Sequence, residues 1–159
     1  MRWLQHRWPV FIWAAVIWGF STESFGMKET SSFILPALQW FFPHASVPTL
    51  TLIHLFIRKL GHITEYFIFS ALILHAIRGQ SREWNRRMAI LAVAIAAAYA
   101  CTDELHQVFV PGRGPSILDV LLDGAGATLA QLWIARRDRR YQEAWQPKPA
   151  EKPGVTLMQ

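Results

Sequence analysis

Apolar residues gather into four blocks along the chain, and the polar residues collect between them. The first block, PVFIWAAVIWGF at 9–20, follows Arg2 and Arg7. A basic start and a short apolar run also describe a secretory leader, but the next residues, STESFGMKE, hold no Ala-x-Ala-like cleavage site. The block reads as an uncleaved first transmembrane helix, with Trp3, Trp8 and Trp18 near the interfaces. The second block, GHITEYFIFSALILHAI at 61–77, ends at Arg78. Its helical pattern extends back to Pro48, a residue suited to a first helical position. A helix over 48–77 is about 45 Å long, against a hydrocarbon layer of about 30 Å. Either its start stands outside the membrane or it bends near Gly61.

The third block, MAILAVAIAAAYACT at 88–102, runs on into DELHQVFV and is dominated by small residues, which favour close helix packing in a bilayer. The fourth, ILDVLLDGAGATLAQLWIA at 117–135, carries Gly124 and Gly126 and is expected to pack on the third. Between the first two blocks, TSSFILPALQWFF at 30–42 repeats apolar pairs at a spacing of four, which predicts a short amphipathic helix. It lies in the membrane interface or is packed over the mouth of the bundle. The fold class is therefore all-α: a polytopic membrane protein with four transmembrane helices over 1–140 and a short interfacial helix in the first outward loop. The tail over 141–159, with Pro147, Pro149 and Pro153, is predicted to be disordered and cytoplasmic.

Composition supports a membrane class. The 159 residues are 52% hydrophobic and include eight Trp and ten Phe, more aromatic surface than a soluble domain of this length readily hides. A net charge of +5 raises nucleic acid as a partner, but the basic residues sit in short runs beside apolar blocks. Arg2 and Arg7, the four Arg of RGQSREWNRR at 78–87 and the four of RRDRR at 136–140 all fall on one side of a four-helix topology. The positive-inside rule places that side, with both termini, in the cytoplasm of a bacterial inner membrane. Membrane lipid is the expected surrounding partner, and no nucleic acid. The single cysteine, Cys101, excludes an intrachain disulfide and a multi-thiolate metal site.

Ionisable residues nevertheless enter three of the blocks. Counted from the basic boundary at helical rise, Glu65 lies about 20 Å deep, Asp103 about 24 Å, Asp123 about 20 Å and Asp119 about 26 Å. Lys59, His62 and Glu65 form one stripe at three-residue steps. Asp103, His106 and Gln107 share a face, as do Asp119 and Asp123. Charges facing lipid are costly, so the three stripes are expected to turn inward and meet in a polar pocket near the outer interface. In VPGRG at 110–114, Pro111 and Gly112 predict a turn that sets Arg113 at the pocket mouth, just before a fourth helix capped by Ser116. A helix N-terminus with an arginine suits an anion. Ion pairs of Lys59 or Arg113 with Asp119, and of His62 with Asp103, are the purely structural alternative. No metal or other cofactor is expected, since neither H-x-x-E nor DELH has a metal-site spacing.

These motifs together resemble the VanZ-like family of small bacterial membrane proteins: K-x-x-H-x-x-E-Y in KLGHITEY, DE-x-x-Q in DELHQ, PGR in VPGRG and D-x-x-x-[ND]-x-x-G in DVLLDGAG. The resemblance covers about 10–135. It implies an envelope role, and the founding member's link to teicoplanin resistance. The matching positions are Lys59, His62, Glu65, Tyr66, Asp103, Glu104, Gln107, Arg113, Asp119 and Gly126, with Asp123 where many relatives are expected to carry Asn. Three functions compete. The pocket binds or modifies an anionic envelope molecule, lipid-linked or lipoglycopeptide, through these residues and His106. Alternatively, Glu65, Asp103 or Glu104 serves acid–base catalysis in an intramembrane hydrolase or transferase. In the third reading the charges only hold an assembly scaffold together.

Overall fold

In the computed structural model, residues 7–79, 84–111 and 113–144 are described. They form α1 (Trp8–Phe20), a 3-10 turn (Glu23–Phe25), α2 (Met27–Phe41), α3 (Val47–Arg78), α4 (Arg86–Gln107) and α5 (Ile117–Ala144). The expected anchors Arg2 and Trp3, the turn residue Gly112 and the tail from 145 onward lie outside the described residues. The four residues 141–144, assigned to the tail on composition, continue α5 as helix.

Of the described helices, α3, α4 and α5 are long and apolar enough to cross a membrane. The first block is helical as expected, but α1 has 13 residues, about 20 Å at helical rise. Its backbone closes with Ser21 N–H on the Ile17 carbonyl and then turns through Thr22–Gly26 into α2. The two arms bend by 73° and supply a fourth span if they count as one. α2 is amphipathic as expected, with Lys28, Glu29, Ser31, Ser32 and Gln39 opposite its apolar side, but only part of that apolar side is covered. Thr30 is buried and Ile34, Leu35 and Leu38 are half-buried, whereas Phe33, Trp40 and Phe41 are exposed. The buried Thr30 hydroxyl lies 3.2 Å from His54 Nε2, which pins α2 to α3.

α3 starts where proline predicts. Pro48 occupies the first turn, Ser46 Oγ accepts from Thr49 N–H, and Gly79 ends the helix at φ 59°, a left-handed conformation that suits glycine. The helix passes through Gly61 unbroken for 32 residues. α4 is capped by Asn85, whose side chain accepts from Arg87 N–H at 2.8 Å. It buries Ala89, Ala92, Ala96 and Ala100, one small-residue face that lets its backbone approach the bundle. Ser116 caps α5 as expected, accepting from Asp119 N–H at 3.2 Å.

The main seam joins α3 to α5, which run parallel with α4 between them in chain order. Lys59 pairs with Asp119, His62 with Asp123 at 3.1 Å and Arg78 with Asp138 at 2.7 Å. Gln131 Nε2 donates to the Ser70 carbonyl at 3.1 Å and to Ser70 Oγ at 2.8 Å. The sequence offset stays near 60 from Lys59 to Arg78, a length of about 28 Å, close to the hydrocarbon thickness. α5 packs on α4 as expected, while its Gly126 faces α3, where an added Cβ would overlap the Ile63 carbonyl. α1 is tied in by Trp13 Nε1 to the Glu65 carbonyl at 2.9 Å and Tyr99 Oη to the Ala14 carbonyl at 2.7 Å.

Candidate functional site

A cavity of about 210 Å³ opens where α1 breaks. α1 and the corner contribute Ile17, Phe20, Ser21 and Phe25, and α2 contributes Thr30. α3 contributes Arg58, Gly61, His62 and Glu65, while α4 and the following loop add Asp103, Gln107 and Arg113. The helix breaks there because the corner's free carbonyls have partners from elsewhere. Arg113 Nη2 donates to the carbonyls of Phe20, at 2.8 Å, and Phe25. Arg58 Nη1 donates to the same Phe25 carbonyl at 2.8 Å and to Thr30 Oγ1 at 3.4 Å. Two guanidinium groups therefore converge on one carbonyl oxygen. Each has five N–H donors, and among the described residues Arg113 Nε has no partner. Burial and the nearby Arg58 push the Arg113 guanidinium down from its ordinary value.

Behind the cavity lies a buried polar layer. Asp123 is fully buried against His62, with its second oxygen unpartnered among the described residues. Gln107 Nε2 donates to Asp103 at 3.3 Å and to Glu104 at 3.2 Å. The other Glu104 oxygen accepts from Ser116 N–H at 2.7 Å, so this carboxylate ties α4 to the start of α5. Such groups survive in an apolar bundle because each finds a polar neighbour.

The predicted residues thus divide. His62, Glu65, Asp103, Gln107 and Arg113 line the cavity. Lys59 and Asp119 pair with each other on the seam. His62 pairs with Asp123 rather than with the expected Asp103, since the parallel α3–α5 register brings residues about 60 apart together. Arg113 reaches the α1 corner and not Asp119. His106 stacks on Trp18, with ring centroids 3.9 Å apart, so it faces α1. Tyr66 is fully buried in the apolar core, edge-on to Phe69, and its hydroxyl has no partner among the described residues. Arg58, Ser21 and Thr30 were not anticipated. Arg58 had a signal, because it precedes His62 by four and Glu65 by seven residues and so shares their face. Among the described residues no three or more His, Cys, Asp or Glu side chains are grouped to hold a metal ion.

The arrangement combines a cation-rich wall, carboxylates and a His–Asp pair around a space to which Ile17, Phe20 and Phe25 add an apolar side. The family model described as VanZ/LLP1 matches residues 8–136, which takes in every element that builds the cavity. No curated protein and no solved structure matches the chain.

Proposed function

Since the chain belongs to the VanZ/LLP1 family and is a multi-pass membrane protein, we propose that its cavity binds an anionic cell-envelope molecule, either lipid-linked or a lipoglycopeptide. The observation behind this reading is the convergence of Arg58 and Arg113 on the Phe25 carbonyl at the cavity wall. Guanidinium donors left over from that contact suit phosphate or carboxylate oxygens. Arg78, Arg86, Arg87 and the run 136–140 gather at the far end of the bundle. The positive-inside rule then sets that end, with both termini, in the cytoplasm of a bacterial inner membrane and turns the cavity outward.

Binding is tested with the full chain in nanodiscs and lipids bearing a phosphate headgroup. Arg58→Ala and Arg113→Ala, expressed at wild-type level, are expected to weaken binding at least about tenfold, the loss of one good charge-assisted contact. Unchanged affinity in both variants refutes the reading. A periplasmic-only reporter fused at the C-terminus is expected to be inactive. Expression in a susceptible host, with and without Arg113→Ala, tests the expected link to teicoplanin tolerance.

The His62–Asp123 hydrogen bond favours a second reading, acid–base chemistry on the bound molecule. A buried carboxylate orients an imidazole that lines the cavity beside Glu65. Glu104, engaged with Ser116 and Gln107, fits the base role less well. Turnover of a phosphate-bearing lipid that vanishes in His62→Gln would establish this reading; binding without turnover would remove it.

A further inference from the structure

Glu65 differs from the other charged groups of the site. Lys59, His62, Asp103, Glu104, Arg58 and Arg113 each hold a protein partner. The half-buried Glu65 carboxylate, which lines the cavity, makes no hydrogen bond or ion pair with any described group. A carboxylate left without a partner at membrane depth carries an unmet desolvation cost, and a ligand cation would relieve it.

The helix geometry sets what that ligand looks like. Arg58 and Glu65 are seven residues apart on α3, which puts them on one face about 10 Å apart along the axis. Gly61 lies between them, and a Cβ there would meet nothing within 4 Å. One wall of the cavity therefore carries a cation at one end, a carboxylate at the other and open space between. Arg113 reinforces the cationic end by meeting Arg58 at Phe25. A simple anion would satisfy the arginines but set its charge beside Glu65 and Asp103. Neutral hydroxyls would answer Glu65 only with weaker, uncharged hydrogen bonds.

We infer that the cavity takes a zwitterionic headgroup of the phosphoethanolamine type, with its phosphate on Arg58 and Arg113 and its primary ammonium on Glu65. This rests on the proposed anion site at Arg58 and Arg113 and refines the ligand from a net anion to a phosphate that carries its own ammonium. Ile17, Phe20 and Phe25 give the same cavity an apolar side on which the glycerol and first acyl carbons would lie.

The test titrates the full-length chain in detergent with short-chain phosphatidylethanolamine and with phosphatidylglycerol of the same chains, read by tryptophan fluorescence. The ethanolamine lipid is expected to bind at least about tenfold more tightly. Glu65→Gln is expected to erase that preference, and Arg113→Ala to weaken both lipids. N-acetylated phosphatidylethanolamine, which lacks the ammonium, is expected to bind wild-type protein no better than phosphatidylglycerol, a control that needs no variant to fold. Equal or tighter binding of phosphatidylglycerol by the wild type, or a preference that survives Glu65→Gln, overturns the inference. If phosphatidylglycerol binds with arginine dependence and no amine preference, the zwitterion falls and the anion site stands. If neither lipid binds, both readings fall.

Discussion

Gly126 and Gly124 lie two residues apart on α5 and predict substitutions of opposite sign. At Gly126 an added methyl would overlap the Ile63 carbonyl and come within 3.0 Å of Ile63 C and Cα. The Ile63 carbonyl oxygen is the nearest obstacle and lies far inside ordinary van der Waals contact, so α5 would have to retreat from α3 by roughly 1 Å. Overpacking costs about 1–3 kcal/mol, and the upper value applies because the obstacle is main chain. Alanine returns about 1 kcal/mol of helix propensity. The net loss is about 2 kcal/mol, or roughly 4–8 °C in melting temperature for a chain of this size. At Gly124 the same methyl meets nothing within 4 Å, and only the propensity gain remains, roughly 2–4 °C upward. The Gly126 effect also reaches the site. Ile63 adjoins His62, and Asp123 precedes Gly126 by one turn, so the same retreat stretches the 3.1 Å His62–Asp123 bond beyond hydrogen-bond range. Gly126→Ala is thus expected to lose ligand affinity as well. Thermal melts of both variants in one detergent, followed by circular dichroism, decide the matter. A Gly126→Ala protein that melts at or above wild type refutes the close α3–α5 contact.

Glu104→Gln retains an acceptor for Ser116 N–H and is expected to fold and bind as wild type. Glu104→Ala orphans that donor and costs about 1–3 kcal/mol in chemical denaturation. His62→Ala leaves the fully buried Asp123 without its partner and is expected to cost about 3 kcal/mol or more, with loss of ligand binding in the same titration. Arg113→Ala releases the Phe20 and Phe25 carbonyls, and hydrogen exchange at the amides of 22–26 is expected to quicken at least about tenfold while the α4 core stays protected.

Much of this architecture is legible from the residues. Hydropathy, Pro48, Ser116 and the small-residue face of block three locate α3, α4 and α5, since each signal is local. The level shared by Glu65 and Asp103 is legible as well, and both line one cavity, because helical rise is constant. Partner choice is less accessible. A three-residue stripe starting at Lys59 groups it with His62 and Glu65, yet in the structure Lys59 turns to Asp119 and Arg58 takes the cavity side. One residue of helix rotation, about 100°, decides between those faces. The α1–α2 corner reads from the residues as a complete span followed by an outward loop, because its bend depends on Arg58 and Arg113, distant residues that donate to carbonyls a continuing helix would have used.

The two faces of α3 explain why structural and cavity-lining charges can sit side by side without pairing with each other. Lys59, Ile63, Tyr66 and Ser70 point within a narrow sector toward the core and α5, at about 100° of rotation per residue. Arg58, Gly61 and Glu65 point roughly a third of a turn away, toward the corner and the cavity. His62 falls between the sectors, and it alone of these side chains both lines the cavity and pairs with α5. A charge brought to the cavity acts on His62, and through the Asp123 hydrogen bond it acts on the seam beside Gly126. If the cavity binds as proposed, its occupancy and the tightness of the α3–α5 contact are linked through one imidazole, whereas Glu65 takes no part in the pairs that hold the helices together.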